Sequence, residues 1–226
     1  MASTEALYQG TKGEAYLAQR RGALSDHVQN LRASLFQDLG SPERTILDFG
    51  CGAGGVISRI AAARRLGIEI GEAAAAEARA KGVEVHPDLA DVPDDSVDVA
   101  ISFHALEHVE RPMDMLREIG RVVKPSGLIR LIVPGELATE PGQRSWRPNR
   151  DLHLYTWTPL LFGNLAHICG YREIRTELAP MPTGSRMVRA LAPVPPLARA
   201  AHWRIGRRQN ALNVILNAQP PVSVEA

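Results

Sequence analysis

Between Thr45 and Pro134 the chain alternates short apolar runs with helical ones, and this alternation restricts the fold more than any other feature. TILDF (45–49), GIEI (67–70), VEVH (83–86), SVDVAISF (96–103) and LIRLIVP (128–134) read as five strands. VISRIAAARR (56–65), EAAAAEARAKG (72–82) and RPMDMLREIGRVV (111–123) read as helices, the last placing Met113, Leu116, Ile119 and Val123 on one side. Strands alternating with helices imply an α/β fold, a parallel sheet covered on both faces. Such sheets take ligands beyond the carboxyl ends of their strands. The positions to inspect therefore follow Phe49, Ile70, His86, Phe103 and Pro134.

The flanks are read in the same way. Leu17, Leu24, Val28, Leu31, Leu35 and Leu39 form an apolar stripe, which predicts one helix over 14–39, stopped at Gly40-Ser41-Pro42. Lys124 to Gly127 reads as a turn. Residues 135–157 read as a loop long enough for a lid or an acceptor-binding insertion. TPLLFGNLAHICG (158–170) is a helix with Thr158 as N-cap and Gly170 past its end. YREIRTEL (171–178) and ALNVILNA (211–218) are late strands around a basic segment rich in proline and arginine, 179–210. A length of 226 residues suits one domain. We expect a helical cap at 1–44, a ligand-binding core at 45–134 and an acceptor side at 135–226.

The turn after the first strand, ILDFGCGAGG (46–55), holds the first chemistry. Gly50, Gly52 and Gly55 satisfy the dinucleotide spacing G-x-G-x-x-G, so spacing alone does not name the ligand. The acids around it discriminate. Asp48 lies in an apolar strand, where a carboxylate must be hydrogen-bonded or face a cation. It would repel a pyrophosphate and favour a ligand bearing an ammonium and a sulfonium. Glu69, about 20 residues past the first glycine, stands where a carboxylate takes two ribose hydroxyls. Asp88 follows the third strand, where it fits an adenine amino group.

ILDFGCGAGG, GIEIGEAAAAEARAKG, PDLADVPDDSVDVAISFHALEHVERP and LREIGRVVKPSGLIRLIVP together, in this order and spacing, resemble the class I S-adenosylmethionine-dependent methyltransferases of the small-molecule type. The resemblance covers about 45–134. It implies a Rossmann-like, seven-stranded, mostly parallel sheet with its last strand antiparallel. It assigns the methionine part of S-adenosylmethionine to Asp48, Gly50, Cys51, Gly52 and Gly54, the ribose to Glu69 and Ile70, and the adenine to Asp88 and Leu89. Ser102, Phe103 and His104 would line the methyl-transfer zone. Three departures accompany it: Glu69 stands where aspartate is common, Ser126 replaces a usual glycine, and the short link from Gly54 to Glu69 predicts a stunted second strand. A Rossmann-type oxidoreductase and a non-catalytic relative that binds the same cofactor stay open as alternatives.

A methyl acceptor that is a weakly acidic hydroxyl or a protonated amine needs a base, and histidine suits that task. His104 and His153 are the candidates. Glu107 and His108 read as helix-capping residues rather than ligands. His153, Tyr155 and Trp157 alternate and could share one face, and Tyr8 and Tyr16 could fold over the cofactor. The formal net charge of +1 and the lack of an amide motif after the fourth strand favour a small metabolite or sugar over nucleic acid as acceptor. The cysteines, Cys51 and Cys169, cannot form a zinc quartet, and no metal is expected. No signal core or membrane-spanning run is visible, so the expectation is cytoplasmic. The arginines of 178–210 allow a peripheral anionic contact but read first as a solvated face.

Overall fold

The computed structural model describes residues 8–20, 26–135, 153–181, 195–208 and 212–222. Seven strands form one sheet: β1 (Ser41–Phe49), β2 (Ala62–Ile68), β3 (Glu84–His86), β4 (Val97–Phe103), β5 (Val123–Pro134), β6 (Arg172–Pro180) and β7 (Leu212–Gln219). Their order is β3-β2-β1-β4-β5-β7-β6, with β7 antiparallel to both neighbours and the other pairings parallel. The expected α/β fold with one antiparallel strand is therefore present. The order reverses direction between β1 and β4, which opens a crevice at their carboxyl ends.

Among the described residues six α-helices accompany the sheet: α1 (Gly10–Arg20), α2 (Asp26–Ala33), α3 (Glu72–Arg79), α4 (Pro112–Val122), α5 (Pro159–Ile168) and α6 (Pro195–Arg208). The period of two divides β1 between two cores. Leu47 and Phe49 join Leu116 and Ile119 of α4 and Phe162 of α5. Ile46 joins Ala33 of α2, Phe36, Val99 and Ile101 on the other face. Thr158 caps α5 as expected, its side-chain oxygen accepting from Leu161 N–H at 3.1 Å.

The structure corrects five expectations. Residues 56–65 are not a helix: one 3₁₀ turn, Ile57–Arg59, leads directly into β2, which is a full seven residues long. Parallel pairing sets Ser41 opposite Ala62, so residues 50–61 must run back along the whole of β1. A nine-residue strand spans roughly 27–30 Å, and a helix rising about 1.5 Å per residue cannot return that distance in twelve residues. The short link thus removes the helix and leaves the strand intact.

The described residues of 14–39 fall in two separate helices, α1 and α2, and a 3₁₀ turn at Gln37–Leu39; the buried positions are Gln29, Ala33, Phe36 and Leu39, so Leu39 of the expected stripe is buried while Val28, Leu31 and Leu35 are half-buried. The strand β1 begins at Ser41 rather than Thr45, with a bulge between them. Lys124 to Gly127 lies within β5 as a looped-out insertion, since Val97 pairs with Val123 and Val99 with Leu128. No helix among the described residues is long and apolar enough to cross a membrane.

Candidate active site

The crevice between β1 and β4 collects most of the expected residues. Gly50 follows β1 with φ +73°, a left-handed conformation that glycine adopts without strain. A Cβ on Gly50 would overlap the Cβ of Ala105, so the turns after β1 and β4 touch there. Gly52 has φ +53° and open space where its side chain would be, leaving its backbone approachable. Gly50 and Cys51 N–H both donate to Ile68 carbonyl, at 2.9 and 3.0 Å, which locks the turn to the end of β2. Burial pushes the Cys51 thiol well above its ordinary range, so it acts as packing.

Two carboxylates converge on this turn. Glu69 accepts from Gly52 N–H at 3.0 Å and from Gly71 N–H at 2.7 Å. Burial raises its pKa, and those amide bonds oppose the rise. Asp48 is 3% exposed, and burial, then the neighbouring Glu69, raise its pKa to about 8. Two acids crowded into one desolvated place suit a cationic ligand. They oppose a pyrophosphate, and so does the local backbone. A dinucleotide fingerprint relies on a helix N-terminus behind the glycines to hold phosphate charge, and here the glycines are followed by a single 3₁₀ turn.

The remaining cofactor-side candidates lie at the carboxyl ends of β2, β3 and β4. Ile70 is half-buried and Leu89 is buried. Asp88 is exposed and caps the turn after β3, its Oδ1 accepting from Ala90 N–H at 3.0 Å. Ser102 is buried and donates to Phe49 carbonyl at 2.8 Å, tying β4 to β1. Phe103 stacks on His104 with ring centroids 4.4 Å apart, and the Arg32 guanidinium lies 5.0 Å from the Phe103 ring.

His104 occupies a strained position, φ +56°, at the end of β4. Its backbone N–H donates to Ile132 carbonyl at 2.9 Å. Such strain in a non-glycine residue marks functional positions more often than others. Its Nε2 lies 2.9 Å from Asn213 Oδ1, which can only accept, so Nε2 carries the proton and Nδ1 faces Glu107 Oε1 at 3.6 Å. Burial lowers the His104 pKa to about 3, so the ring is neutral near pH 7.

The structure brings His104 and His153 together, 49 positions apart in sequence, through a residue read only as a cap. Glu107 is fully buried; His153 Nε2 and His108 Nε2 each lie 3.9 Å from its Oε1. Tyr8 completes the group, its hydroxyl 2.8 Å from His108 Nδ1. Tyr155 and Trp157 pack on each other, 5.7 Å between ring centroids, while His153 packs on His108. Tyr155 O–H donates to Glu110 carbonyl at 3.0 Å, and Trp157 is buried against Phe162, 5.0 Å between centroids. The Tyr16 side chain, residues 136–152, and Arg186 and Arg189 of the basic segment lie outside what the structure describes.

The methyltransferase-domain family model matches residues 47–131. A probable S-adenosylmethionine-dependent methyltransferase of Mycolicibacterium smegmatis is 35% identical over 107 residues, covering 44% of this chain and 42% of that protein. A ubiquinone biosynthesis O-methyltransferase of Pseudomonas syringae pv. tomato is 36% identical over 99 residues, covering 38% and 42% respectively. The matches thus span less than half the length of either relative. A methyltransferase structure from Thermotoga maritima superposes with TM-score 0.65 at 16% identity, over 96% of this chain and 99% of that one. The [4+2]-cyclase SpnF superposes with TM-score 0.58 at 20% identity, over 88% and 82%, so the fold by itself does not name a reaction. Sequence match, sheet order and the acid-lined glycine turn agree: residues 47–131 match the methyltransferase-domain family model, on the fold of the class I S-adenosylmethionine-dependent methyltransferases.

Proposed function

We propose that this chain transfers the methyl group of S-adenosylmethionine to an oxygen or nitrogen of a small molecule. The observation that carries the reading is the pairing of buried Asp48 with Glu69 around a glycine turn that no α-helix follows. Asp48 would face the ammonium of the methionine part, and Gly50 and Gly52 would admit its backbone-like atoms. Glu69, with two amides already bound, keeps further lone pairs for the ribose hydroxyls. Asp88 and Leu89 stand at the end of β3 for the adenine. The cofactor supplies a sulfonium-bound methyl, already a strong electrophile, so the chain's task is alignment and exclusion of water.

Ser102, Phe103 and His104 would line the methyl-transfer end. We assign the acceptor to the side where His104 and His153 flank Glu107. There the two histidines would hold it; with the His104 pKa lowered to about 3, His153 is the better placed of the two to accept the proton of a weakly acidic hydroxyl. The ubiquinone-pathway relatives are named as O-methyltransferases, which favours a hydroxyl on a small molecule as acceptor.

Calorimetry with S-adenosylhomocysteine and with NAD tests the reading. We expect binding of the former and none of the latter; the opposite preference refutes it. Alanine variants of His104 and His153, assayed for turnover and for binding of S-adenosylhomocysteine, test the acceptor assignment. Full turnover in both variants refutes a base and leaves positioning alone.

A further inference from the structure

We propose that Glu107, His108 and His153 form a site for one divalent transition-metal ion of the zinc, cobalt or iron(II) class. Their three donor atoms, one carboxylate oxygen and two imidazole nitrogens, lie within 4.8 Å of one another. An ion with bonds of about 2.0–2.1 Å holds tetrahedral ligands about 3.4 Å apart, a spacing within reach of small side-chain rotations. The two histidine nitrogens stand 3.9 Å from the same carboxylate oxygen, and His104 Nδ1 stands 3.6 Å from it. These distances are too long for hydrogen bonds.

The cluster is held by its surroundings. The Tyr8 hydroxyl engages His108 Nδ1 at 2.8 Å, which fixes the ring and turns Nε2 toward Glu107. A partner on the non-ligating nitrogen is the usual support of a metal-bound histidine. The His153 segment is docked by backbone: Leu154 N–H donates to the Glu107 carbonyl at 2.8 Å. The His108 and His153 rings meet edge to face, 4.9 Å between centroids, with their Nε2 atoms converging on one oxygen. A Glu107 carboxylate at 0% exposure is well matched to a cation, because a buried charge is tolerated when it is paired.

The donor set selects the metal. Two imidazoles and one carboxylate suit zinc, cobalt, iron(II) or nickel, whereas magnesium and calcium favour all-oxygen sites. Three protein ligands leave a position open for a fourth, as catalytic sites do. The binding of the ion stands on this geometry alone. Its use rests on the methyl-transfer reading: with the ion bound, His153 is a ligand rather than a base, and an open position beside His104 would hold an acceptor oxygen and favour loss of its proton in place of a histidine base.

The test uses untagged full-length protein, stripped with chelator and titrated with cobalt(II) alone. Visible absorption and equilibrium dialysis report the binding, with no methyl transfer required. We expect about one ion per chain with ligand-field bands of a four- or five-coordinate site. His153→Ala, on a segment at the protein surface, should weaken binding by at least about tenfold, and Tyr8→Phe by about 10-fold to 100-fold. Thermal melts verify that both variants are folded. Occupancy well below one ion, or His153→Ala binding within about threefold of wild type, overturns the proposal; loss between those limits counts against it unless Tyr8→Phe also weakens binding. Failure here leaves S-adenosylhomocysteine binding untouched, so the two readings fail separately.

Discussion

The acid pair at the glycine turn predicts that ligand affinity depends on pH, with a size set by Asp48. Its carboxyl has a pKa of about 8 in the free protein, because burial and Glu69 both disfavour the charge. A ligand ammonium at that position reverses the preference and requires the carboxylate. The ionised fraction of a group with this pKa is about 0.5 at pH 8 and about 0.01 at pH 6. Affinity for S-adenosylhomocysteine should therefore fall about 50-fold, roughly 2 kcal/mol, from pH 8 to pH 6. At pH 7 binding should release about 0.9 proton per ligand. Titration calorimetry in two buffers of different ionisation enthalpy reads both quantities. Asp48→Asn should bind weakly and with little pH dependence, which separates Asp48 from Glu69. Affinity constant within about threefold over pH 6–8, or the same pH dependence surviving in Asp48→Asn, refutes the reasoning.

Three further outcomes follow from the same structure. In the free protein the folded state keeps the Asp48 proton up to about pH 8, while the unfolded chain loses it near 3.8. Folded protein then binds more protons, so this group erodes stability by up to about 1.4 kcal/mol per pH unit between those values; Asp48→Asn should flatten that slope in urea denaturation and raise stability at pH 8. Gly50→Ala forces a left-handed alanine against Ala105, and should cost at least about 1–2 kcal/mol and weaken S-adenosylhomocysteine binding in calorimetry. Tyr171 is buried and its hydroxyl donates to Leu116 carbonyl at 2.7 Å; Tyr171→Phe should cost about 0.5–1.5 kcal/mol in urea denaturation with ligand affinity unchanged.

What the sequence made legible was whatever local pattern controls. The strands β1, β3 and β4 and the helix capped by Thr158 follow from apolar runs and turn residues. Asp48, Glu69 and Asp88 were visible because each closes a strand in an alternating chain, and strand ends converge. The region 56–65 misled because its alanines and arginines favour a helix locally, whereas the distance back to Ala62 allows only extended chain. Tertiary geometry overrode propensity there. The histidine cluster was hidden for a different reason. Glu107 and His153 are 46 residues apart in sequence, and only the docking of the 153–157 segment on the turn after β4 brings them together. Tyr8 was read only as an aromatic that could fold over the cofactor, and nothing in the sequence marked its hydroxyl as a partner of His108.

That tyrosine has a kinetic meaning. Its hydroxyl rests on His108 beyond β4, while its carbonyl lies 2.9 Å from where a Cβ of Gly71, beyond β2, would sit. The segment at Tyr8 therefore bridges the two banks of the crevice whose floor is the glycine turn. If the proposed cofactor lies along the glycine turn, a ligand as long as a nucleoside joined to an amino acid would pass beneath Tyr8 on entry and on departure. Its observed affinity is then the intrinsic value reduced by the fraction of molecules with the bridge open. Release of product would then be paced by movement of Tyr8, and Tyr8→Ala would speed exchange at both ends of the proposed catalytic cycle.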